Sequence, residues 1–360
     1  MGSNPPMKYG INIAPAADSW KLVKRAEELG FDYAWFIDSP LINADLFVAM
    51  AAAAMKTDRI RLGTGVLIPS NRLAPVAANA LASLNALAPG RIDLGVGTGF
   101  TGRRTLGLGP MKLADMFGYI DVVERLLAGE TVDAVLEGDA HPIRFMNPEL
   151  GLINMADPIP VHVSALGPRG RRMVAEKGYC WTNTVGRADR ARAAIDDMKQ
   201  AWTDAGRDPA DLQANAISGG AVLKSDDDWN ADYVVDQAGP QSAIILHNLA
   251  EEAQFGSIGQ KPPPEMDSIV AEYMKIYEAY TPANARYLSN HRNHLMAVRP
   301  EERHLITGDF IRNTTVSGTP TAIRERIRDL DGMGYTQFSV HIRTPLPDMI
   351  EDWAAVIEGV

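Results

Sequence analysis

The sequence predicts an α/β protein, a (β/α)8 TIM barrel with a long insertion between its seventh and eighth strands. Short apolar segments typical of strands alternate with amphipathic helical segments along the 360-residue chain, which indicates parallel strand pairing. Eight such units favour a closed barrel over an open sheet. Near-continuous apolar strands, such as Pro160–Ala165, suit a sheet that is buried on both faces.

The predicted strands are runs of apolar, β-branched and aromatic residues bounded by turn residues. They are Tyr9–Ala14, Tyr33–Ile37, Ile60–Ile68, Arg91–Gly97, Pro160–Ala165, Tyr179–Thr184, Gln213–Leu223 and Thr336–Ile342. The predicted helices carry apolar residues at helical spacing. They are Ser19–Leu29, Ala44–Lys56, Pro75–Leu87, Met111–Leu127, Pro168–Lys177, Ala188–Ala205, Thr321–Asp331 and Asp348–Ile357. The stretch from Gly129 to Pro158 is predicted to be irregular.

About a hundred residues separate the last two strands, far more than a βα connection needs. We therefore expect one domain over residues 1–360 with an insertion at residues 224–315, which contains helical segments at Ile269–Ala279 and Pro282–Asn290. The insertion is predicted to be a lid and substrate pocket, because active sites lie on the C-terminal face of barrels; a structural extension or a dimer contact is the alternative. Its aromatic residues would line that pocket or form the core of the insertion. They are Trp229, Tyr233, Tyr273, Tyr277 and Tyr287.

The composition limits the class of partner. A net charge of −10 without basic runs disfavours nucleic-acid binding. No apolar stretch reaches the roughly 18 residues of a membrane span, and no signal-peptide pattern is present. The single cysteine, Cys180, excludes an internal disulfide framework and suits a reducing compartment. We expect a cytoplasmic enzyme with a small-molecule substrate and with neither nucleic acid nor a membrane as partner.

The segment Gly97–Gly102 matches G-x-G-x-x-G after a predicted strand, a pattern of dinucleotide-binding loops. The match is weak evidence, because three strand–helix units precede it and no helix is predicted immediately after it. Its glycines still allow a backbone to approach a flat or phosphorylated ligand. Asp38 ends the second strand, where a carboxylate can act as a general acid or base or hold a cofactor hydroxyl. An N-cap for the next segment, assisted by Ser39, is the alternative.

A phosphate site is predicted after the fifth strand, where small residues precede a helix N-terminus that exposes backbone N–H groups. The residues assigned to it are Ser164, Ala165, Leu166, Gly167, Pro168 and Arg169. An ordinary βα turn with solvated arginines is the alternative reading. In the insertion, His291 and His294 would share one helix face, but no third ligand with a diagnostic spacing is visible, so we expect no metal. His162 is expected to be a core histidine.

No nucleophile elbow, zinc-protease motif or P-loop occurs in the chain, which favours chemistry by a bound cofactor. The runs Arg59–Val66 and Ala88–Gly97, with Pro69 between them, resemble the luciferase-like flavin oxidoreductases, in particular the branch that resembles methylene-tetrahydromethanopterin reductase. Leu106–Leu108, Ala165–Pro168 and Gly318–Pro320 extend the resemblance over nearly the whole chain.

This resemblance implies a TIM barrel, often dimeric, that binds FMN or the deazaflavin coenzyme. It implies a non-prolyl cis peptide at Gly65–Val66 against the face of the cofactor ring, with Gly97, Thr98 and Gly99 beside the ring and the phosphate at Ala165–Pro168. Many members of the family carry a histidine directly after the aspartate of the second strand, where this chain has Ser39. His291 or His294 could replace it as the proton donor.

The first functional expectation is an FMN-dependent monooxygenase supplied with reduced flavin by a separate reductase. The alternative is a deazaflavin-dependent oxidoreductase that transfers hydride to or from a small substrate, with Asp38 as a proton relay. A non-catalytic flavin-binding protein is a further alternative, and a nicotinamide dehydrogenase would require an open sheet. In the first two cases we expect a homodimer.

Overall fold

Eight parallel strands close into a barrel in the computed structural model, which describes residues 6–256 and 266–360. The strands are β1 (Lys8–Ile13), β2 (Tyr33–Phe36), β3 (Arg61–Thr64), β4 (Ile92–Val96), β7 (Val161–Ser164), β8 (Cys180–Thr184), β9 (Ala214–Ser218) and β10 (Gln337–Ile342). The barrel closes where β1 pairs with β10, with Lys8 opposite Gln337 and Ile13 opposite Ile342. All eight predicted strands are confirmed. The closed sheet removes the nicotinamide reading of the glycine motif, which required an open one.

Helices surround the barrel and follow the predicted order. They are α1 (Trp20–Glu28), α2 (Leu46–Ala54), α3 (Ala74–Leu87), α4 (Phe100–Arg104), α5 (Leu113–Leu127), α6 (Pro168–Lys177), α7 (Ala188–Asp204), α13 (Pro320–Met333) and α14 (Met349–Ile357). Their buried faces pack on barrel strands whose side chains are almost entirely covered. Among the described residues, no helix combines the length and apolarity that crossing a membrane requires. The expectation that no helix follows the glycine motif directly is wrong, because α4 begins at Phe100.

The stretch between Gly129 and Pro158 is more regular than predicted. It contains an antiparallel hairpin of β5 (Val132–Leu136) and β6 (Asp139–Ile143), with Leu136 opposite Asp139. The two residues of its turn, Glu137 and Gly138, have φ values of 55° and 98°. Positive φ at both positions is the geometry of the tight turns that match the twist of paired strands. A glutamate in the first turn position is an uncommon signal, which is why the sequence did not reveal the hairpin.

The insertion forms a helical layer with an apolar core of its own. Its helices are α8 (Asp232–Ala250), α9 (Glu252–Phe255), α10 (Asp267–Ala279), α11 (Tyr287–Asn290) and α12 (Gly308–Thr314). Val234, Leu246, Tyr273 and Phe310 are buried together in this second core. Residues 257–265 of the predicted insertion lie outside the described residues. Helix α8 was missed because Pro240 lies inside it and interrupts the helical pattern.

Two buried arginines connect the barrel to the insertion. Arg104, at the end of α4, donates hydrogen bonds to the carbonyl oxygens of Asn248 and Gly256. Arg343, directly after β10, donates to the carbonyl oxygens of Gln237 and Leu295. Both arginines follow the carboxyl ends of barrel strands, so the insertion lies over the C-terminal face of the barrel.

Candidate active site

The ends of β3, β4 and β7 meet at one place on the C-terminal face. The peptide bond between Gly65 and Val66 is cis, as the family resemblance implies. A Cβ atom on Gly97 would lie 2.7 Å from Cγ2 of Val66 and 3.6 Å from Cβ of Ser164. Gly65, Val66 and Ser164 are half-buried. Four residues predicted to bind the cofactor thus lie together at the mouth of the barrel, where Gly97 must lack a side chain.

The other two residues of the glycine segment have local structural roles. Gly99 has a φ of 77°, and a Cβ atom there would lie 2.6 Å from Cγ2 of Ile68. It precedes α4 as the N-cap residue. The carbonyl oxygen of Thr98 accepts a hydrogen bond of 3.0 Å from the amide of Met111. Gly99 therefore turns the chain into α4, and the Thr98 backbone holds the segment that follows α4.

A cavity of about 940 Å³ lies beside this mouth, between the barrel and the insertion. The N-terminal ends of α6 and α7 and the carboxyl end of β8 form its barrel side. Residues of α8 and α12, among them Gln241 and Phe310, form its insertion side. Leu166, Gly167 and Pro168 of the predicted phosphate turn all line it. Three residues of the predicted phosphate turn therefore line a cavity of ligand size, and their contact with a phosphate stays a prediction.

The cavity wall suits an anionic group. Gly167 is the N-cap residue of α6 and offers no capping side chain. Backbone N–H groups at the N-terminus of α6 can therefore bind a phosphate or carboxylate. Arg171 and Arg190 line the same wall, together with Asp197, which pairs with Arg171 at 2.7 Å, and Asp309. These features fit the phosphate-bearing side chain of a flavin or deazaflavin.

The remaining residues of the predicted phosphate turn lie elsewhere. Ala165 is buried, and its carbonyl oxygen accepts a hydrogen bond of 2.9 Å from Nε1 of Trp181. Arg169 is exposed and is not among the described residues that line the cavity. Arg171, two positions later, lines it instead and donates to the carbonyl oxygen of Leu166 at 2.5 Å. Helix geometry explains the difference, because neighbouring residues on α6 point in different directions.

Asp38 is a buried carboxylate that binds the loop after β3. Its Oδ2 atom accepts hydrogen bonds from the amide of Ile68 at 3.0 Å, from Nδ2 of Asn71 at 3.1 Å and from the guanidinium of Arg72 at 2.9 Å. The alternative N-cap role is wrong, because Asp45 caps α2 instead. These three hydrogen bonds anchor the loop that carries Ile68. The proton-relay role of Asp38 stays a prediction.

The five aromatic residues of the insertion do not form a pocket wall. None of them is among the described residues that line the cavity. Tyr273 and Tyr277 are buried in the insertion core, and Trp229 and Tyr233 pack against it. The core reading is therefore the better one for these four residues, whereas Tyr287 packs against the ring of Phe255, with ring centroids 6.1 Å apart. His162 is likewise a core residue, since its Nε2 atom lies 3.1 Å from Oδ1 of Asp93.

His291 and His294 meet a third histidine, His247 of α8, in a buried cluster. One ring nitrogen from each of the three lies within 4.8 Å of the others. Nε2 of His291 lies 2.8 Å from a carboxylate oxygen of Glu251, and Nε2 of His247 lies 2.8 Å from Glu302. The sequence shows no third ligand with a diagnostic spacing, and the structure brings His247 to the two histidines by packing. Sequence spacing did not reveal His247, because more than forty residues separate it from His291 along the chain.

Burial determines the charge of this cluster. It lowers the pKa of His247 and of His294, so that both imidazoles are neutral at pH 7. Burial alone would raise the pKa of the Glu302 carboxyl, but hydrogen bonds with His247 and Arg299 outweigh that effect and lower the pKa to about 2. Whether His291 or His294 replaces the histidine that the chain lacks at Ser39 stays a prediction.

Comparisons with known proteins agree with this architecture. The sequence model of the family described as Luciferase-like monooxygenase matches residues 3–337. The 5,10-methylenetetrahydromethanopterin reductase of Archaeoglobus fulgidus is 25% identical over 341 residues, which cover 92% of each chain. The F420-dependent glucose-6-phosphate dehydrogenase of Beutenbergia cavernae is 32% identical over 173 residues, or 45% of this chain and 49% of the relative.

A solved structure shares the fold across its full length. The coenzyme F420 dependent tetrahydromethanopterin reductase from Methanopyrus kandleri superposes with a TM-score of 0.71 at 19% identity, covering 97% of this chain and 98% of that one. The family match spans nearly all of the barrel, and the relatives named above are reductases and dehydrogenases. The chain therefore belongs to the luciferase-like monooxygenase family and is an oxidoreductase built on a TIM barrel.

Proposed function

We propose that the protein is a coenzyme F420-dependent oxidoreductase that transfers hydride between this deazaflavin and a small organic substrate. The observation that carries the proposal is the 32% identity to an F420-dependent glucose-6-phosphate dehydrogenase over 173 residues. The similarity to a methylenetetrahydromethanopterin reductase over 92% of the chain supports a reductase on the same barrel. The relatives thus favour the deazaflavin alternative over the FMN-dependent monooxygenase that was expected first.

The chain would hold the cofactor at two places. The mouth formed by Gly65, Val66 and Gly97 offers a narrow, half-buried surface for a flat ring. The N-terminus of α6 at Gly167, with Arg171 nearby, offers N–H groups and positive charge for the phosphate. Bound there, the deazaflavin would supply the hydride. The role of the protein would be to orient the ring, bind the anionic side chain and exclude water.

The insertion would act as a lid over this arrangement. Its helices α8 and α12 form one side of the cavity. Arg104 and Arg343 connect it to the strand ends. The same surface would select the substrate. The homodimer stays a prediction, and a separate flavin reductase would be needed only for the FMN-dependent alternative.

The direct test is a titration of the purified protein with coenzyme F420 and, separately, with FMN. We expect F420 to bind with a Kd below about 100 μM, roughly −5.5 kcal/mol, and more tightly than FMN. Tighter binding of FMN together with oxygen-dependent turnover would instead support the monooxygenase. Failure of both to bind below that concentration would contradict the proposal.

The substitution Gly167→Asp tests the phosphate site. A Cβ atom at Gly167 has no neighbour within 4 Å, so the side chain fits without a clash. The added carboxylate would cap α6 and repel an anion at the same point. We expect F420 affinity to fall at least about tenfold, which corresponds to 1.4 kcal/mol, with thermal stability unchanged or raised.

Gly167→Ala is the matched control, because it adds the Cβ atom without the charge. It should bind F420 nearly as well as the unmodified chain. Equal affinity of the Asp and Ala variants for F420 would show that the phosphate does not bind at this turn.

A further inference from the structure

We propose that His247, His291 and His294 form a binding site for a divalent first-row transition metal ion such as Zn²⁺. This site is separate from the cofactor cavity, because none of the three histidines is among the described residues that line that cavity. It also does not depend on which cofactor the enzyme uses.

The three imidazoles already approach the geometry of a metal site. One ring nitrogen from each lies within 4.8 Å of the other two, and the ring centroids are 5.4 to 6.3 Å apart. In a tetrahedral zinc site with Zn–N distances near 2.0–2.1 Å, the ligand nitrogens are about 3.3 Å apart. Small rotations of the three side chains would therefore bring the nitrogens close enough together to bind one metal ion.

The carboxylates fix which nitrogen is free to bind a metal. Glu302 also pairs with the guanidinium of Arg299, so it is a carboxylate, and Nε2 of His247, which lies 2.8 Å from Glu302 and 3.0 Å from a guanidinium nitrogen of Arg299, can donate its proton to it. Glu251 accepts from Nδ2 of Asn290 at 2.8 Å and faces Arg104, so Nε2 of His291 likewise can donate. In these tautomers His247 and His291 each carry a lone pair on Nδ1. Metal-binding histidines commonly donate their second nitrogen to a carboxylate in this way.

The free nitrogens are otherwise unsatisfied. The Nδ1 atoms of His247, His291 and His294 are all buried and have no hydrogen-bond partner among the described residues. The three histidine residues are between 2% and 5% exposed to solvent. Isolated unpartnered polar atoms occur elsewhere in the chain, but here three are gathered in one cluster. Leaving buried acceptors without partners is costly, and one cation bound by all three would remove that cost.

The donor set indicates the class of metal and of ligand. Neutral imidazole nitrogen suits zinc, iron, nickel and copper rather than magnesium or calcium. Three protein ligands leave a coordination position for water or for an oxygen or sulfur atom of a small ligand, as in catalytic rather than structural zinc sites. Arg104 and Arg343 dock the insertion on the strand ends, so the histidine cluster belongs to the part of the chain that covers the C-terminal face.

The test is metal binding by the full chain in the absence of any flavin or deazaflavin. Protein stripped with a chelator is equilibrated with Zn²⁺ and, separately, with Co²⁺. We expect one equivalent of bound metal by elemental analysis, and visible absorption bands of a four- or five-coordinate nitrogen site for Co²⁺. Much less than one equivalent, or the spectrum of hexaaqua Co²⁺, would overturn the proposal even without a variant.

The variant His294→Leu removes one proposed metal ligand. The imidazole of His294 makes no hydrogen bond to a described residue, so no other polar contact is lost with it. We expect metal affinity to fall more than about 100-fold, since even an outer carboxylate partner is worth about 10- to 100-fold. His304→Leu is the matched control, because His304 is an exposed histidine of the same insertion that pairs with Glu272. Its metal affinity should be unchanged. Equal loss in both variants, or in neither, would show that the cluster does not bind the metal.

Discussion

The barrel and the insertion bury polar groups in different ways. In the barrel, His162 contacts Asp93, which pairs with Arg61, and these residues belong to the neighbouring strands β7, β4 and β3. In the insertion, Arg299 and Glu302 are fully buried and contact His247, which comes from a helix about fifty residues earlier. Both groups join residues that are far apart in sequence, but strand register places those of the barrel, whereas the packing of helices and loops places His247 against the Arg299–Glu302 pair in the insertion.

This difference indicates which of the two regions is more sensitive to single substitutions. The barrel core is a continuous apolar cluster supported by helices all round. The insertion has a smaller apolar core and holds a buried ion pair within it. Removing one partner of a buried pair leaves a charge without compensation, so the insertion should be the more sensitive region to single substitutions.

The largest expected effect is that of Arg299→Met, which leaves Glu302 buried without its cation. We expect the free energy of unfolding, measured by urea titration, to fall by about 3–5 kcal/mol. Arg303→Met is the control, because Arg303 pairs with Asp232 and Asp236 at the surface, where pairs are worth about 0–1 kcal/mol. Equal losses in the two variants would contradict the contrast between the buried pair and the rest of the molecule.

A smaller effect is expected for Asp38→Ala at the barrel mouth. The variant removes the acceptor of three hydrogen bonds, one of them from Arg72, which should cost about 2–3 kcal/mol of stability. Hydride transfer should fall in parallel as the loop loosens. A large loss of kcat with stability unchanged would instead identify Asp38 as the proton relay.

The smallest effect concerns the two arginines of α6. Arg171→Gln should weaken F420 binding about tenfold, or 1.4 kcal/mol, because the side chain lines the cavity. Arg169→Gln should leave the affinity unchanged, because Arg169 is exposed away from the lining. Isothermal titration of both variants measures the difference. If Arg169→Gln weakened F420 binding more than Arg171→Gln, Arg169 would be the cofactor contact, as the sequence analysis predicted.

The barrel was predictable because its signals are local. Each strand is a short apolar run with its own turn residues, and parallel register follows from the repeated order of elements. The hairpin at Val132–Ile143 escaped prediction because its turn is Glu137–Gly138 rather than a common hairpin pair. Helix α8 was not predicted because Pro240 interrupts its helical pattern in the sequence.

The site was predictable only in part. Gly167 and its neighbours were found because a helix N-terminus after a strand has a recognisable sequence. Arg169 rather than Arg171 was assigned to the site, because tertiary packing decides which face of α6 borders the cavity. His247 was missed because its partners, Glu302 and His291, are brought to it by tertiary packing alone.

The bonds made by Arg343 bear on how such an enzyme diverges. Its guanidinium binds the carbonyl oxygens of Gln237 and Leu295. A carbonyl oxygen is the same whatever side chain its residue carries. Mutations at positions 237 and 295 can therefore accumulate without loosening the attachment of the insertion. The side chains at these two positions can thus diverge while the attachment of the insertion to the barrel is inherited unchanged.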